Sequence, residues 1–85
     1  MNTVKKLNAQ LEGASARWRR GFSARLGRTL KKAKWSTSRV ARRLNVPEGV
    51  VKFWLAGVVN PNGDDCVRLS RLLQVDLGWL CAVEV

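Results

Sequence analysis

Residues 37–56 read Thr-Ser-Arg-Val-Ala-Arg-Arg-Leu-Asn-Val-Pro-Glu-Gly-Val-Val-Lys-Phe-Trp-Leu-Ala. Apolar side chains recur in this stretch at helical spacing. Val40, Ala41 and Leu44 share one helical face before Asn45, and Val50 or Val51 shares a face with Trp54 after it. Asn45 accepts the left-handed conformation that ends a helix, and Pro47 suits the first turn of the next helix. The stretch therefore predicts two helices joined by a tight turn, with the small side chain of Ala41 where the helices cross.

Helical periodicity continues on both sides of this corner. Apolar stripes predict helices over residues 22–34, 37–44, 48–56, 64–73 and 77–80. Ser36 and Asp76 are suitable N-caps, and Gly57 is suited to end the third of these helices. Because the chain has 85 residues and only two prolines, we expect one small all-α protein with a limited core.

Positive charge is concentrated in the first half of the chain. The sequence has 16 Lys and Arg residues against six Asp and Glu residues, which gives a net charge of +10. Residues 1–43 hold 13 of the basic residues and one acidic residue, whereas residues 44–85 hold three basic and five acidic residues. This imbalance favours a polyanionic partner, and nucleic acid is the commonest one.

The N-terminal segment leaves two questions open. Val4, Leu7 and Leu11 form one helical stripe that Gly13 weakens or ends. This helix either docks onto another chain, for example in a dimer, or packs back onto the protein's own core, and a third alternative is that the segment is disordered in solution.

A basic cluster, Arg17-Trp18-Arg19-Arg20, follows that helix. Arg19 and Arg20 either belong to an arm that contacts phosphates or lie on the exposed face of a helix. We therefore divide the chain into an N-terminal helix or basic arm over residues 1–21 and a second unit over residues 22–85.

Residue counts argue against several other classes of site. The chain has no His, and Cys66 and Cys81 do not form a CxxC pair, so we expect no metal site. The few carboxylates lie at helix starts, where capping explains them. We expect no catalytic residues, no cofactor and no small-molecule substrate. Because no signal peptide or membrane-spanning run is recognisable, we expect a cytoplasmic protein without a membrane partner.

A longer pattern links the predicted helices. Its members are Leu26, Leu30, Trp35-Ser36, Val40-Ala41, Leu44, Val46, Val51, Trp54, Gly57, Asn60-Pro61, Leu69, Leu72-Leu73, Val75, Leu77 and Trp79-Leu80. Over residues 22–80 this pattern resembles the lambda-repressor-like domain of Cro/CI repressors and their bacterial relatives. The resemblance implies five helices with the third in the major groove of DNA. It also implies dimeric binding to a two-fold-related operator and control of transcription.

The resemblance also assigns residues to DNA contacts. On the exposed face and edge of the recognition helix it places the base contacts Glu48, Gly49, Val50, Lys52 and Phe53. At the start of the preceding helix and in the loop after the recognition helix it places the phosphate contacts Ser36, Thr37, Asn60 and Asn62. From their charge and position we add the phosphate contacts Arg19, Arg20, Arg39 and Arg43.

The tip of the recognition helix departs from the family pattern. Such helices usually carry Gln, Asn, Ser, Thr or Arg there, because these side chains read base edges. Glu48 can accept only from cytosine and repels phosphate, and Gly49 has no side chain. Lys52 can reach a guanine or a phosphate, and Val50 or Phe53 can touch a thymine methyl group. Either apolar contacts and DNA shape supply the specificity, or this helix is not the main reader.

The sequence as a whole favours a sequence-specific transcriptional regulator. We expect a phage or prophage repressor of the Cro/CI type that binds double-stranded DNA as a homodimer. Apolar residues near the C-terminus predict the dimer surface, namely Leu77, Leu80, Val83 and Val85. The alternative is a protein-interaction module on the same fold, such as an antitoxin or a small phage inhibitor of a host protein.

Overall fold

The computed structural model describes residues 3–83, and this part of the chain is all-helical, with six helices and no strand. The helices are α1 (Thr3–Leu11), α2 (Ala16–Ala33), α3 (Thr37–Leu44), α4 (Glu48–Ala56), α5 (Gly63–Leu73) and α6 (Leu77–Cys81). The predicted all-α class, with five helices preceded by an additional N-terminal helix, is confirmed.

The corner between α3 and α4 has the predicted geometry. Ser36 caps α3, since its hydroxyl oxygen accepts from the backbone N–H of Arg39 at 3.1 Å. Asn45 ends α3 in the left-handed conformation with φ 58°. Pro47 then leads into α4 with extended backbone. Because Ala41 is 3% exposed, its small side chain fits inside the corner and allows the two helices to approach closely.

Helix α2 begins earlier than predicted. Its first residue is Ala16 rather than Phe22, because Ser15 accepts from the backbone N–H of Trp18 at 3.1 Å and caps the helix there. Trp18 stacks on Phe22 one turn later, with ring centroids 5.4 Å apart, and this contact extends the apolar stripe. The helix runs without interruption past residue 21. The basic cluster that contains Arg20 is therefore helical, not an extended arm.

The core lies where α2 meets α4, α5 and α6, under the α3–α4 corner. Its fully buried side chains include Phe22, Leu26, Val40, Val51, Trp54, Leu69 and Leu80. Leu80 was predicted to lie on a dimer surface, and this assignment is corrected. The side chain is 0% exposed, so it has no surface to offer a second copy.

Helix α1 packs on α5 through a close backbone contact. Leu7 and Leu11 are buried, and the N–H of Gly63 donates to Asn8 Oδ1 at 2.6 Å. A Cβ atom on residue 63 would lie 2.5 Å from the carbonyl oxygen of Val4, so only glycine fits without a shift. Of the alternatives left open for this helix, the structure shows packing onto the protein's own core.

Arginine side chains complete the C-terminal ends of three helices. Arg19 Nε donates to the carbonyl of Gly57 at the end of α4, at 3.2 Å. Arg25 Nε donates to the carbonyl of Leu80 in α6, at 3.0 Å. Arg68 donates to the carbonyl of Leu44, the last residue of α3. Cations at helix C-termini interact favourably with the helix dipole and satisfy carbonyls that lack helical partners. Part of the basic composition is therefore structural.

Candidate nucleic-acid interface

The exposed face of α4 begins at Gly49, the second residue of the helix, which has no side chain. A Cβ atom on Gly49 would meet nothing within 4 Å, so the tip of the helix is open to solvent. Phe53, one turn further along, is 53% exposed. Val50 is half-buried at the edge of this face and packs partly against the core.

Glu48 is held by two neighbours. Its Oε1 accepts from Thr37 Oγ1 at 3.2 Å and lies 3.3 Å from Lys52 Nζ. The first contact joins the N-termini of α3 and α4, and the second is an i, i+4 ion pair along α4. Because both members of the ion pair are exposed, it contributes at most about 1 kcal/mol. Lys52 can therefore leave Glu48 for a DNA phosphate or a base edge at low cost.

The N-terminus of α3 lies beside that contact. The hydroxyl oxygen of Ser36 accepts from the backbone N–H of Arg39 and lies 3.4 Å from Ser38 Oγ. Thr37 is half-buried and donates to Glu48. Both predicted phosphate contacts are thus placed next to the tip of α4, and each already has an intramolecular role.

Two arginines on α3 lie over one indole ring. Cζ of Arg39 is 4.0 Å from the ring centroid of Trp35, and Cζ of Arg43 is 5.8 Å from it. Both arginines are exposed, whereas Trp35 is half-buried against the core. In the sequence, Trp35 stands out only as a member of the family pattern. The i, i+4, i+8 spacing of the three residues is the signal that could have shown their contact.

These features place a helical corner, an open helix tip and an exposed basic helix side by side. The profile of a helix-turn-helix family matches residues 26–80, which is more than half of the chain. The chain belongs to this family. It is a helix-turn-helix protein of the lambda-repressor-like, Cro/CI type, as the sequence pattern predicted. The family consists of DNA-binding regulators and is not typically enzymatic. Searches of curated proteins and of solved structures found no match.

In this helix-turn-helix protein, three of the predicted phosphate contacts also make hydrogen bonds within the fold. Arg19 donates to the carbonyls of Ala14 and Gly57 and to Asn60 Oδ1. Asn60 in turn donates to the carbonyl of Leu11 at 3.4 Å. The two side chains thereby join the end of α4 to the end of α1.

Asn62 is the third of these residues. It caps α5 in a reciprocal pair with Asp65, in which each side chain accepts from the other residue's backbone N–H, at 2.8 and 3.1 Å. Arg20, by contrast, remains exposed on α2. The hydrogen bonds of Arg19, Asn60 and Asn62 have one physical cause, which is that helix ends and turns need donors and acceptors that nearby polar side chains supply.

The predicted dimer residues of the helix-turn-helix protein are distributed unevenly. Leu77 and Val83 are half-buried, Leu80 is in the core, and Val85 lies outside the described residues. Trp79, which was not assigned to a dimer surface, is 47% exposed. It lines a groove of about 430 Å³ together with Thr29, Lys32, Ala33, Leu73 and Val75. This groove lies between α2, α5 and α6, and its lining is partly apolar.

The two cysteines are interior residues with free thiols. A hydrogen bond with Cys81, together with burial, raises the pKa of the Cys66 thiol, so it stays protonated. Among residues 3–83 no group of three or more His, Cys, Asp or Glu side chains could hold a metal ion. Over the same residues, none of the helices combines the length and the apolar character that crossing a membrane requires.

Proposed function

We propose that this protein is a sequence-specific transcriptional regulator that binds operator DNA as a homodimer, with α4 in the major groove. The observation that carries the proposal is the exposed, sterically open face of α4 beside the uncovered arginines of α3, within a lambda-repressor-like domain. A helix in the major groove needs such a face, and the flanking cations supply affinity for the phosphates. A repressor of phage or prophage type, acting in the bacterial cytosol, is the form that fits this fold best.

Base contacts are expected from the face of α4. Lys52 donates to guanine or to a phosphate, Glu48 accepts from the amino group of cytosine, and Phe53 packs on a thymine methyl group. Gly49 lets the helix backbone approach the base edges, and Val50 contributes at the edge. Because this face has few bidentate readers, DNA shape contributes a large share of the discrimination.

Phosphate contacts are expected from the surfaces that flank α4. Arg39, Arg43 and Arg20 have exposed side chains and provide positive charge at the surface. Ser36 and Thr37 lie at the N-terminus of α3, where backbone N–H groups and the helix dipole favour an anion. These contacts set the affinity and the orientation on the duplex but not the sequence.

Selection of bound sequences from a random pool of double-stranded DNA tests the proposal directly. We expect enrichment of two related half-sites whose centres are about one helical turn apart, roughly 10 base pairs. Equal binding to every sequence would overturn the regulator and leave general nucleic-acid binding. Lys52→Ala should weaken binding to the selected sequence more than binding to DNA of mixed sequence. Lys6→Ala, which removes an exposed lysine on α1, is the matched control and should change neither.

A protein-interaction module is the second candidate function. It is favoured by the poor set of base readers on α4 and by the exposed apolar residues at its C-terminal end, Phe53, Val58 and Val59. In an antitoxin or a small phage inhibitor, these residues would bind a protein. A stable complex with one defined protein that contains no DNA, together with failure of the DNA selection, would establish this candidate and remove the first.

A further inference from the structure

Trp35, which precedes α3, and Arg39 and Arg43 of α3 form one cation–π stack. The indole ring packs against the core on one side, and the two guanidinium groups lie over the ring at 4.0 and 5.8 Å. Cation–π contacts of this kind are favourable at exposed sites, and Trp is the most favourable ring for them. The stack therefore fixes two otherwise flexible side chains to a ring that is itself held by the core.

The stack leaves the hydrogen-bonding edges of both arginines free. A guanidinium group stacks through its planar face, while its N–H donors point outward in that plane. Within residues 3–83 no carboxylate or carbonyl accepts from the side chain of Arg39 or Arg43. The contrast with Arg19, Arg25 and Arg68 is informative, since each of those donates to a helix carbonyl.

The stack also lowers the cost of binding. An arginine side chain is rich in rotamers and loses conformational entropy when it is immobilised. Because the ring restricts Arg39 and Arg43 already in the free protein, part of that loss does not recur when DNA binds. A planar, ordered pair of donors suits the oxygen atoms of phosphate groups.

We propose that Trp35 is a positioning residue for DNA, which holds Arg39 and Arg43 so that their free edges bind two phosphates of the duplex backbone. The inference rests on the proposed function, since it assumes that α3 lies beside DNA. It goes further by giving a role to a residue that makes no contact with DNA itself.

A double-mutant cycle on a fluorescently labelled duplex of mixed sequence tests the positioning role, because non-specific binding depends mainly on phosphates. The variants are Trp35→Leu, the pair Arg39→Ala with Arg43→Ala, and the triple variant. Trp35→Leu should weaken binding by about five- to thirty-fold in the native background, the loss that corresponds to two exposed cation–π contacts. In the double-alanine background it should have no effect. If Trp35→Leu lowered the DNA affinity by the same factor in both backgrounds, or left it unchanged in the native background, the inference would be overturned.

The salt dependence adds a readout that a packing role alone does not move. Loss of two phosphate contacts should reduce the slope of log affinity against log salt by about 1.8, at about 0.9 for each phosphate. The double-alanine variant should show this reduction, and Trp35→Leu should show part of it. An unchanged slope for Trp35→Leu would contradict the proposal.

A second set of variants covers the case in which Trp35→Leu is too unstable to assay. Replacing both arginines by lysine keeps the charge and the core but removes the planar stack. The lysine pair should bind more weakly than the native protein, by about the factor expected for Trp35→Leu. Equal affinity of the lysine and arginine proteins would overturn the positioning role. A native protein that binds no duplex would overturn the proposed function as well, so the two failures are distinguishable.

Discussion

Phe53 and Trp54 are neighbours in the chain and point in opposite directions. Successive residues of a helix are about 100° apart, and here the step separates solvent from core, with exposures of 53% and 1%. We expect Trp54→Ala to lower the free energy of unfolding by about 3–5 kcal/mol, because it leaves a large cavity. Phe53→Ala should change it by less than about 0.5 kcal/mol.

Urea unfolding and DNA titration of these two variants check the facing of α4. Phe53→Ala should weaken binding to the selected DNA while remaining folded. If Trp54→Ala kept its stability and lost DNA binding, the assignment of the two faces of α4 would be reversed.

The reactivity of the Cys66 thiol tests whether this side chain is buried in the folded protein. Its raised pKa, caused by the hydrogen bond with Cys81 and by burial, disfavours the thiolate that reacts with alkylating agents. We expect Cys66 to react with iodoacetamide only as fast as the protein unfolds. Mass spectrometry of tryptic peptides distinguishes Cys66 from Cys81, since Arg68 and Arg71 lie between them. Rapid alkylation of the folded protein would contradict the buried position.

The raised pKa of Cys66 also fixes the direction of its pH effect. A thiol whose pKa is higher in the folded state than in the unfolded state contributes stability below the ordinary thiol pKa, about 8.5. That contribution is lost as the pH rises above this value, since only the unfolded chain then ionises readily. In Cys66→Ala this decrease in the free energy of unfolding at alkaline pH should be absent. Urea unfolding at several alkaline pH values measures it.

At the scale of the helices, two glycines provide a matched pair. Gly63→Ala places a Cβ atom 2.5 Å from the carbonyl of Val4, whereas Gly49→Ala places it in open space. We expect the first variant to displace α1, with faster hydrogen exchange of the α1 amides and little change in α3 and α4. The second should stabilise the protein by about 0.5–1 kcal/mol, since alanine is the better helix former. Unchanged exchange in Gly63→Ala would mean that α1 does not depend on this contact.

Most helices could be predicted because their signals are local. Apolar periodicity located α3 to α6, and the caps at Ser36, Asn45 and Asp76 are confirmed. The start of α2 was predicted six residues too late. The cap at Ser15 and the stacking of Trp18 on Phe22 both had to be recognised to find it.

The polar contacts between helices could not be predicted in the same way. The sequence shows that Arg19, Asn60 and Asn62 are polar and near turns, which suits either DNA or an internal partner. Only the folded arrangement brings Arg19 to the end of α4 and Asn60 to the end of α1. By contrast, helix α4 was located correctly, because its position follows from local spacing. The ion pair of Glu48 with Lys52, four residues apart on that helix, follows from helical geometry.

For the whole molecule, the distribution of charge predicts a steep salt dependence. Although the net charge is +10, several arginines are engaged internally, so we estimate about six phosphate contacts rather than one for every basic residue. About six contacts give a slope near −5 and a loss of roughly 10³ in affinity between 50 and 200 mM salt. Fluorescence anisotropy at several salt concentrations measures this slope. A slope close to zero would exclude a mainly electrostatic mode of binding.

Self-association is expected at the groove beside Trp79. An exposed indole next to an apolar groove is a suitable surface for a second copy, and the proposed operator needs two copies. We expect Trp79→Ser to shift the protein toward the monomer in sedimentation experiments. Val58→Ser replaces a similarly exposed apolar residue outside this groove and is the control. Equal behaviour of the two variants would place the dimer surface elsewhere.

The arginines at the helix C-termini have a consequence for how the chain unfolds. The three contacts join residues that are 38, 55 and 24 positions apart in sequence. When α4 or α6 separates from α2, or α3 from α5, an arginine–carbonyl hydrogen bond breaks together with the apolar contacts between the two helices. Partial opening therefore costs both a hydrogen bond and apolar contacts. We expect α2 to α6 to unfold in one all-or-none step. Calorimetry should then give equal calorimetric and van't Hoff enthalpies.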